Sequence, residues 1–408
     1  MIARLTPTKP LRFGEFVALM ALMMASVAFS LDAMLPALPQ IGQELSPDAP
    51  ARGQLVITSF VLGLGLGTLI CGPVSDAFGR KSVLLAGIAL YLVGAVLAIQ
   101  AQSIDMLLAA RFLQGVGGAA PRVVATAMVR DLYEGRTMAR VTSIIMTLFV
   151  LVPALAPSIG AGIMWLSHWR MIFMAFVVFG LVAGLWLTLR QPETLPPERR
   201  RPLRPGKIGA ALVEILTNPQ VMVYVLALTF AFAPLYVWLS NLPMIFDDVY
   251  DRAASFPFWF AVTALVAGTA SVANSRLVMR FGMRRIATLA FLWQACVSLA
   301  FLGLMTLGLP APWDFGLFFA FMCTGFFSIG LTFGNLNALA MQPLGHIAGI
   351  GASVVMSFST VFAALIAMPI SLAYDGSPLP LIQGMMICAG IALALMLIAR
   401  HIVARDAL

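Results

Sequence analysis

Three ionisable residues stand inside stretches otherwise too apolar to be loops: Asp32, Arg111 and Arg122. A charge within a membrane-length apolar segment is costly and is usually kept for function. Asp32 is the carboxylate placed well inside such a segment. It follows Gly14 by 18 residues, about 27 Å along a helix, which puts it in the outer half if the chain enters from the cytoplasm. Arg111 lies near the outer start of the fourth segment, at similar depth and with opposite sign. Burial and a neighbouring guanidinium act on a carboxyl group in opposite senses. Asp32 is therefore the candidate for proton coupling, with Arg111 tuning it. A fixed Asp32–Arg111 pair, or a cap close to Pro36, is the alternative. Arg122 follows Arg111 by eleven residues, within about 20° of three full turns and about 16 Å away. Both arginines then project from one face, with Gln114 and Gly115 between them. If that face lines a cavity, its wall is electropositive and Arg122 meets an acidic or electron-rich substrate. The competing reading has Arg122 reaching to the headgroups.

The elements that must position these residues follow from composition. The chain has 408 residues, 61% hydrophobic and 10% charged, against about 25% charged in soluble domains. The apolar runs are continuous rather than alternating, so the spans are helices and not barrel strands. At roughly 20 residues per span, twelve cores emerge: 14–36, 53–73, 82–101, 106–129, 138–161, 170–189, 219–242, 255–275, 286–308, 314–338, 351–374 and 379–399. The run 315–374 has no charge and needs two helices, broken near Gly345-His346. Placing both termini in the cytoplasm puts twenty Lys and Arg inside, including Arg4, Lys9 and Arg204, and three outside: Arg52, Arg170 and Arg252. That is the positive-inside bias. The first apolar stretch is span-length, so it reads as a span and not a cleaved signal. The expectation is an all-α polytopic membrane protein with two six-helix halves. Residues 1–189 form the N-terminal bundle, 190–218 a cytoplasmic linker and 219–408 the C-terminal bundle. The polar, Pro- and Arg-rich stretch from Gln191 to Lys207 marks the division.

The net charge of +8 sits in short loops between spans, which argues for a lipid bilayer as partner and against nucleic acid. Cys71, Cys296, Cys323 and Cys388 lie in apolar runs without zinc spacing, and read as small packing residues. No HExxH, P-loop or Gly-x-Ser-x-Gly is present, so no enzyme, metal or cofactor is expected. Further polar, aromatic and Met residues within spans are substrate-cavity candidates: Met24, Tyr236, Trp238, Asn241, Asn335 and Asn337. Adaptable Met and aromatic walls suit loosely shaped apolar molecules. For each one taken singly, packing or lipid contact is the stronger reading.

Gly72 to Lys81, GPVSDAFGRK, forms a charged hinge between the second and third spans, and Phe281-Gly282-Met283-Arg284-Arg285 echoes it half a chain later. The echo is degenerate: Met279 stands where Asp76 would be. Such parallel halves are typical of transporters. Gly72, Asp76, Gly79, Arg80 and Lys81 resemble the signature loop of the major facilitator superfamily. Arg111-Phe112-Leu113-Gln114-Gly115 resembles its span-four arginine motif. The stretch Ala156 to Ala161, with Pro153, Pro157 and Gly160, resembles the span-five antiporter motif, with alanines at two glycine positions. Asp32-Ala33-Met34-Leu35-Pro36-Ala37-Leu38-Pro39, Glu193-Thr194-Leu195-Pro196-Pro197-Glu198-Arg199 and Gly345-His346-Ile347-Ala348-Gly349 resemble the bicyclomycin-resistance (Bcr/CflA) branch of drug:proton antiporters.

This resemblance implies the superfamily's twelve-helix fold and alternating access. The hinge would be a conformational latch remote from substrate; because its echo has lost the aspartate, the latch is expected to be asymmetric, with Asp76 carrying the anionic role alone. It also implies export of small, mostly apolar drugs against protons, driven by the proton gradient without a cofactor, by a monomer in the cell's inner membrane. An organic-anion or metabolite transporter of the same fold is the alternative, favoured by Arg111 and Arg122. A non-transporting sensor or scaffold is the second.

Overall fold

A computed structural model describes residues 11–203, 205–305 and 313–405. Arg4, Lys9 and Arg204 lie outside the described residues. Twelve helices of twenty residues or more are present among them: α1 Phe13–Asp32, α2 Leu55–Phe78, α3 Arg80–Ile99, α4 Ile104–Leu132, α5 Gly135–Leu166, α6 Arg170–Arg190, α7 Pro219–Met244, α8 Phe256–Phe281, α9 Met283–Met305, α10 Trp313–Met341, α11 Ala348–Leu372 and α12 Leu379–Arg405. No strand occurs among the described residues.

Among the described residues, ten helical stretches are long and apolar enough to cross a membrane. The difference from twelve has two causes. Asp314–Leu372 reads as one stretch because a 3-10 turn, Gln342–Ile347, joins α10 to α11, with Leu344 out of helical conformation. α4 is not among the ten because Arg111, Gln114, Arg122 and the glycines between them lower the mean hydropathy of its core, and it also carries Asp105, Arg130 and Asp131 at its ends. Charges held at this density inside a 29-residue helix need partners within the protein.

The first span is not one helix to residue 36. α1 ends at Asp32 and is followed by a 3-10 turn, Leu35–Ala37, and a short helix, Leu38–Leu45. Pro36 has no N–H to give the Asp32 carbonyl four residues back, and it disfavours helical geometry at Leu35. Sequence thus places the break at the acidic residue.

Contacts divide the chain into two compact units, Met1–Pro205 and Gly206–Leu408. A helix at Pro205–Thr217 occupies the later part of the stretch read as a tether. In the first unit α1 packs on α4, α5 and α6, α4 on α2 and α3, and α3 on α6. In the second, α7 packs on α10, α11 and α12, α10 on α8 and α9, and α9 on α12. Shifting every helix by six maps one list onto the other.

Glycine permits the tightest of these approaches. A Cβ on Gly63 of α2 would stand 2.0 Å from the Phe112 carbonyl oxygen, and one on Gly115 of α4 2.0 Å from that of Phe60. The two helices touch backbone to backbone, as small residues allow in membranes. That contact brings Arg111 of α4 up against Phe60 of α2.

Candidate functional site

Arg111 is fully buried, and its guanidinium is held by neutral groups. It donates to Gln114 Oε1 (2.7 Å), to the Ser30 carbonyl (3.0 Å) and to the Val56 carbonyl (3.4 Å). Its Cζ lies 4.3 Å from the Phe60 ring centroid and 5.8 Å from that of Phe173. These contacts join α1, α2, α4 and α6. Asp32 is also buried, at 5% exposure, but the two do not pair. Among the described residues the Asp32 carboxyl has no hydrogen bond or ion pair. The fixed-pair alternative is therefore replaced by an indirect link through Ser30, two residues before Asp32.

Ser30 is the most connected small residue of the site. Its hydroxyl donates to the Ser26 carbonyl at 2.6 Å and lies 2.6 Å from Tyr91 Oη. A hydroxyl has one proton, so Tyr91 of α3 is the donor in the second bond. The last turn of α1, ending in Asp32, is thus gripped by Arg111 and Tyr91. On its other side α5 presses against the break. A Cβ on Gly160 would stand 2.0 Å from the Ala33 carbonyl oxygen, so this glycine lets α5 lie on the backbone beside Asp32. Pro153 and Pro157 lie within α5, and Pro157 leaves the Pro153 carbonyl without its helical donor.

Arg122 is half-buried, and no acceptor for its guanidinium is found among the described residues. Arg111, enclosed by Phe60 and Phe173, lines no open surface. The expected electropositive wall therefore reduces to Arg122. Met24 packs in an apolar cluster with Phe16, Met20, Leu84, Val124 and Met128.

In the second unit most nominated side chains are enclosed. Trp238 is fully buried among Phe318, Phe321 and Phe326. Tyr236 is buried and stacks on Phe232. Asn241 donates to the Val237 carbonyl and to Ser371 Oγ of α11. Asn335 of α10 donates to Asn274 Oδ1 of α8 at 2.7 Å. Asn337 is half-buried, with its carbonyl oxygen unpartnered among the described residues. A small cavity opens between α7, α9, α10 and α12, lined by Phe230, Phe291, Gln294, Ser328, Thr332 and Met385 among others. Gln294 gives it a polar edge, accepting from Ser328 Oγ at 3.3 Å.

The hinge is an ionic knot. Arg80 donates to Asp76 and Ser75 through Nη1 and to Asp131 through Nε at 3.0 Å. Ser75 Oγ in turn donates to the Gly72 carbonyl. The Glu193 carboxylate accepts from the backbone N–H of Arg80 (2.9 Å) and Lys81 (3.1 Å), capping α3. Lys81 Nζ donates to the Thr188 carbonyl of α6, Thr194 Oγ1 to Asp131, and the Arg201 N–H to the Asp76 carbonyl. Three carboxylates serve the hinge, so Asp76 does not hold the anionic role alone. Sequence reading missed Glu193 and Asp131. The only signal for Glu193 was the motif resemblance, which carries no geometry.

Two six-helix units repeating one packing scheme, with a buried charge at a helix break and an ionic hinge, define a polytopic membrane transporter rather than an enzyme. The chain belongs to the Major Facilitator Superfamily, which it matches over residues 20–368. It is 32% identical over 331 residues to the uncharacterized MFS-type transporter YdgK of Bacillus subtilis (strain 168), covering 78% of this chain and 79% of that one. It is 29% identical over 354 residues to a bicyclomycin resistance protein homolog of Haemophilus influenzae, covering 86% and 87%. The Haemophilus relative agrees with the bicyclomycin-resistance branch. Among solved structures, the peptide transporter POT superposes with a TM-score of 0.73 at 15% identity, covering 99% of this chain and 97% of that one, a likeness of fold.

Proposed function

We propose that this transporter exports small, mostly apolar drugs in exchange for protons by alternating access, with Asp32 as the group that carries the proton. The observation behind this reading is the buried Asp32 carboxyl, without a partner among the described residues, at the end of a helix turn held by Arg111 and Tyr91. A carboxyl with no fixed counter-ion can change protonation without breaking a salt bridge. The helix break beside it leaves room for a backbone response, and Gly160 of the antiporter-like motif rests on that break. The name of the Haemophilus relative supports drugs as the substrate class. The proton gradient is the energy source, no cofactor is required, and both termini face the cytoplasm of the inner membrane.

Proteoliposomes under an imposed pH gradient test this. The wild type moves a labelled drug with counterflow of protons. Asp32→Asn is expected to lose gradient-driven transport by at least about tenfold, equivalent to 1.4 kcal/mol, while keeping drug binding. An Asp32→Asn variant with wild-type proton coupling overturns the assignment.

A second reading rests on Arg122, a half-buried cation without an acceptor among the described residues. It favours an organic anion as substrate. Transport of labelled anions but not drugs in the same vesicles, lost in Arg122→Gln, would select it. Transport of neither would select the sensor or scaffold.

A further inference from the structure

The two hinges differ in what stands beside their glycines. Beside Gly79, a Cβ would lie 2.6 Å from Glu193 Oε2 and 3.1 Å from an Arg200 nitrogen. That space is filled by the carboxylate that caps α3. Beside Gly282, which adopts φ +78°, no other described residue, its chain neighbours apart, places an atom within 4 Å of the same position.

The open turn is strongly cationic. Arg276, Arg280, Arg284 and Arg285 surround it, and the sequence from Arg252 to Trp313 contains no Asp or Glu. Among the described residues none of the four is in an ion pair. Arg284 Nε is buried with no acceptor, although a buried guanidinium N–H left unpaired costs free energy. Arg280 rests over the Phe281 ring at 5.3 Å. Apolar side chains project beside these cations, with Met279 87% and Phe281 41% exposed. α8 and α9 are both membrane-length, so the turn between them lies at headgroup level. Apolar side chains directed outward among guanidinium groups match an interface of acyl chains below and phosphates above.

We propose that the α8–α9 turn holds the phosphate of an anionic phospholipid, which takes beside Gly282 the place that the Glu193 carboxylate takes beside Gly79. Guanidinium forks match phosphate oxygens in geometry and charge. An Arg284 fork turned outward to the phosphate gains the acceptor that its buried Nε lacks, and Met279 and Phe281 anchor the turn among the acyl chains. One hinge is neutralised by the chain itself and the other by the bilayer. This site is independent of the proton-coupling assignment.

Native mass spectrometry of the detergent-purified full chain, titrated with phosphatidylglycerol or phosphatidylcholine, tests the proposal. At about a factor of five per cation near an anionic lipid surface, the wild type is expected to prefer phosphatidylglycerol by at least tenfold. The triple variant Arg280→Gln, Arg284→Gln, Arg285→Gln loses that preference while staying monodisperse and helical. Should the triple variant misfold, Arg276→Gln with Arg285→Gln, both exposed, is expected to reduce the preference severalfold. Equal binding of the two lipids by the wild type, or an unchanged preference in the folded variants, overturns the proposal. Inorganic phosphate competing as well as the lipid would mean a soluble anion site, and overturns it too.

Discussion

The two units share a packing scheme and differ in what fills it. In the first, a guanidinium from α4 lies over a ring from α2, Arg111 on Phe60 at 4.3 Å. In the second, a phenylalanine from α10 meets a ring from α8 edge-on, Phe326 against Phe260 at 5.9 Å. Around Arg111 stand Ser30, Gln114 and Tyr91; Phe326 meets Trp238, which in turn packs on Phe318 and Phe321. The hinges repeat the contrast, ionic at Gly79 and unpaired at Gly282. One six-helix frame thus accommodates a charged interior and an aromatic one. The frame is carried by shape and close backbone approach, and charge is an addition to it. Buried charge is thus something the frame itself does not require.

The sharpest way to break this comparison is to give the first unit the second unit's chemistry. Arg111→Phe keeps an aromatic contact with Phe60 but leaves Gln114 Oε1 and two carbonyls without their donor, each costing about 1–3 kcal/mol. The expected outcome is loss of gradient-driven transport with a lowered unfolding temperature in detergent. Near-wild-type transport by this variant would show that the charge is dispensable. A smaller contrast concerns the hinge glycines. Gly79→Ala and Gly282→Ala both place a side chain at positive φ with extended ψ, a region essentially confined to glycine, at about 1–3 kcal/mol. Only Gly79→Ala also displaces the Glu193 cap, adding about 1 kcal/mol. Thermal unfolding should rank Gly79→Ala below Gly282→Ala, and the reverse order would mean that the cap contributes nothing. The smallest effect is expected at Glu214→Gln. It removes a 2.9 Å pair with His346 whose side chains are 41% and 59% exposed, so the change should stay below about 1 kcal/mol. A larger loss would reveal an ionic tie in the second unit as well.

Much of the frame was legible in the sequence. Charges are so sparse that each cluster punctuates a span, although the first core, drawn over 14–36, runs past the break after Asp32 that Pro36 causes. The run 315–374 had to contain two helices on length alone. What sequence could not supply was partnership across distance. Asp32 and Arg111 share depth and opposite sign, yet Arg111 is satisfied by carbonyls that carry no side-chain signature. Glu193 caps a helix that begins 113 residues earlier, with no local pattern to link them. Trp238 and Tyr236 fitted a cavity wall by type, but an all-apolar helix has no polar face to show which side turns inward. Most of α7 is buried, so its aromatic residues pack inside the unit.

α4 joins the two charged regions of the first unit. Arg111 near its start grips α1 through Ser30, and Asp131 at its end grips Arg80 and Thr194. Twenty residues of helix separate them, about 30 Å, with one soft point at Pro121, where the Gly117 carbonyl has lost its donor. The helix is therefore a connecting rod pinned at both ends. An axial slip at Ser30 must either flex the rod at Pro121 or pull on the pin at Asp131. On the role proposed for Asp32, the stiffness of this one helix sets how far protonation beside α1 is felt at the opposite end of the bundle.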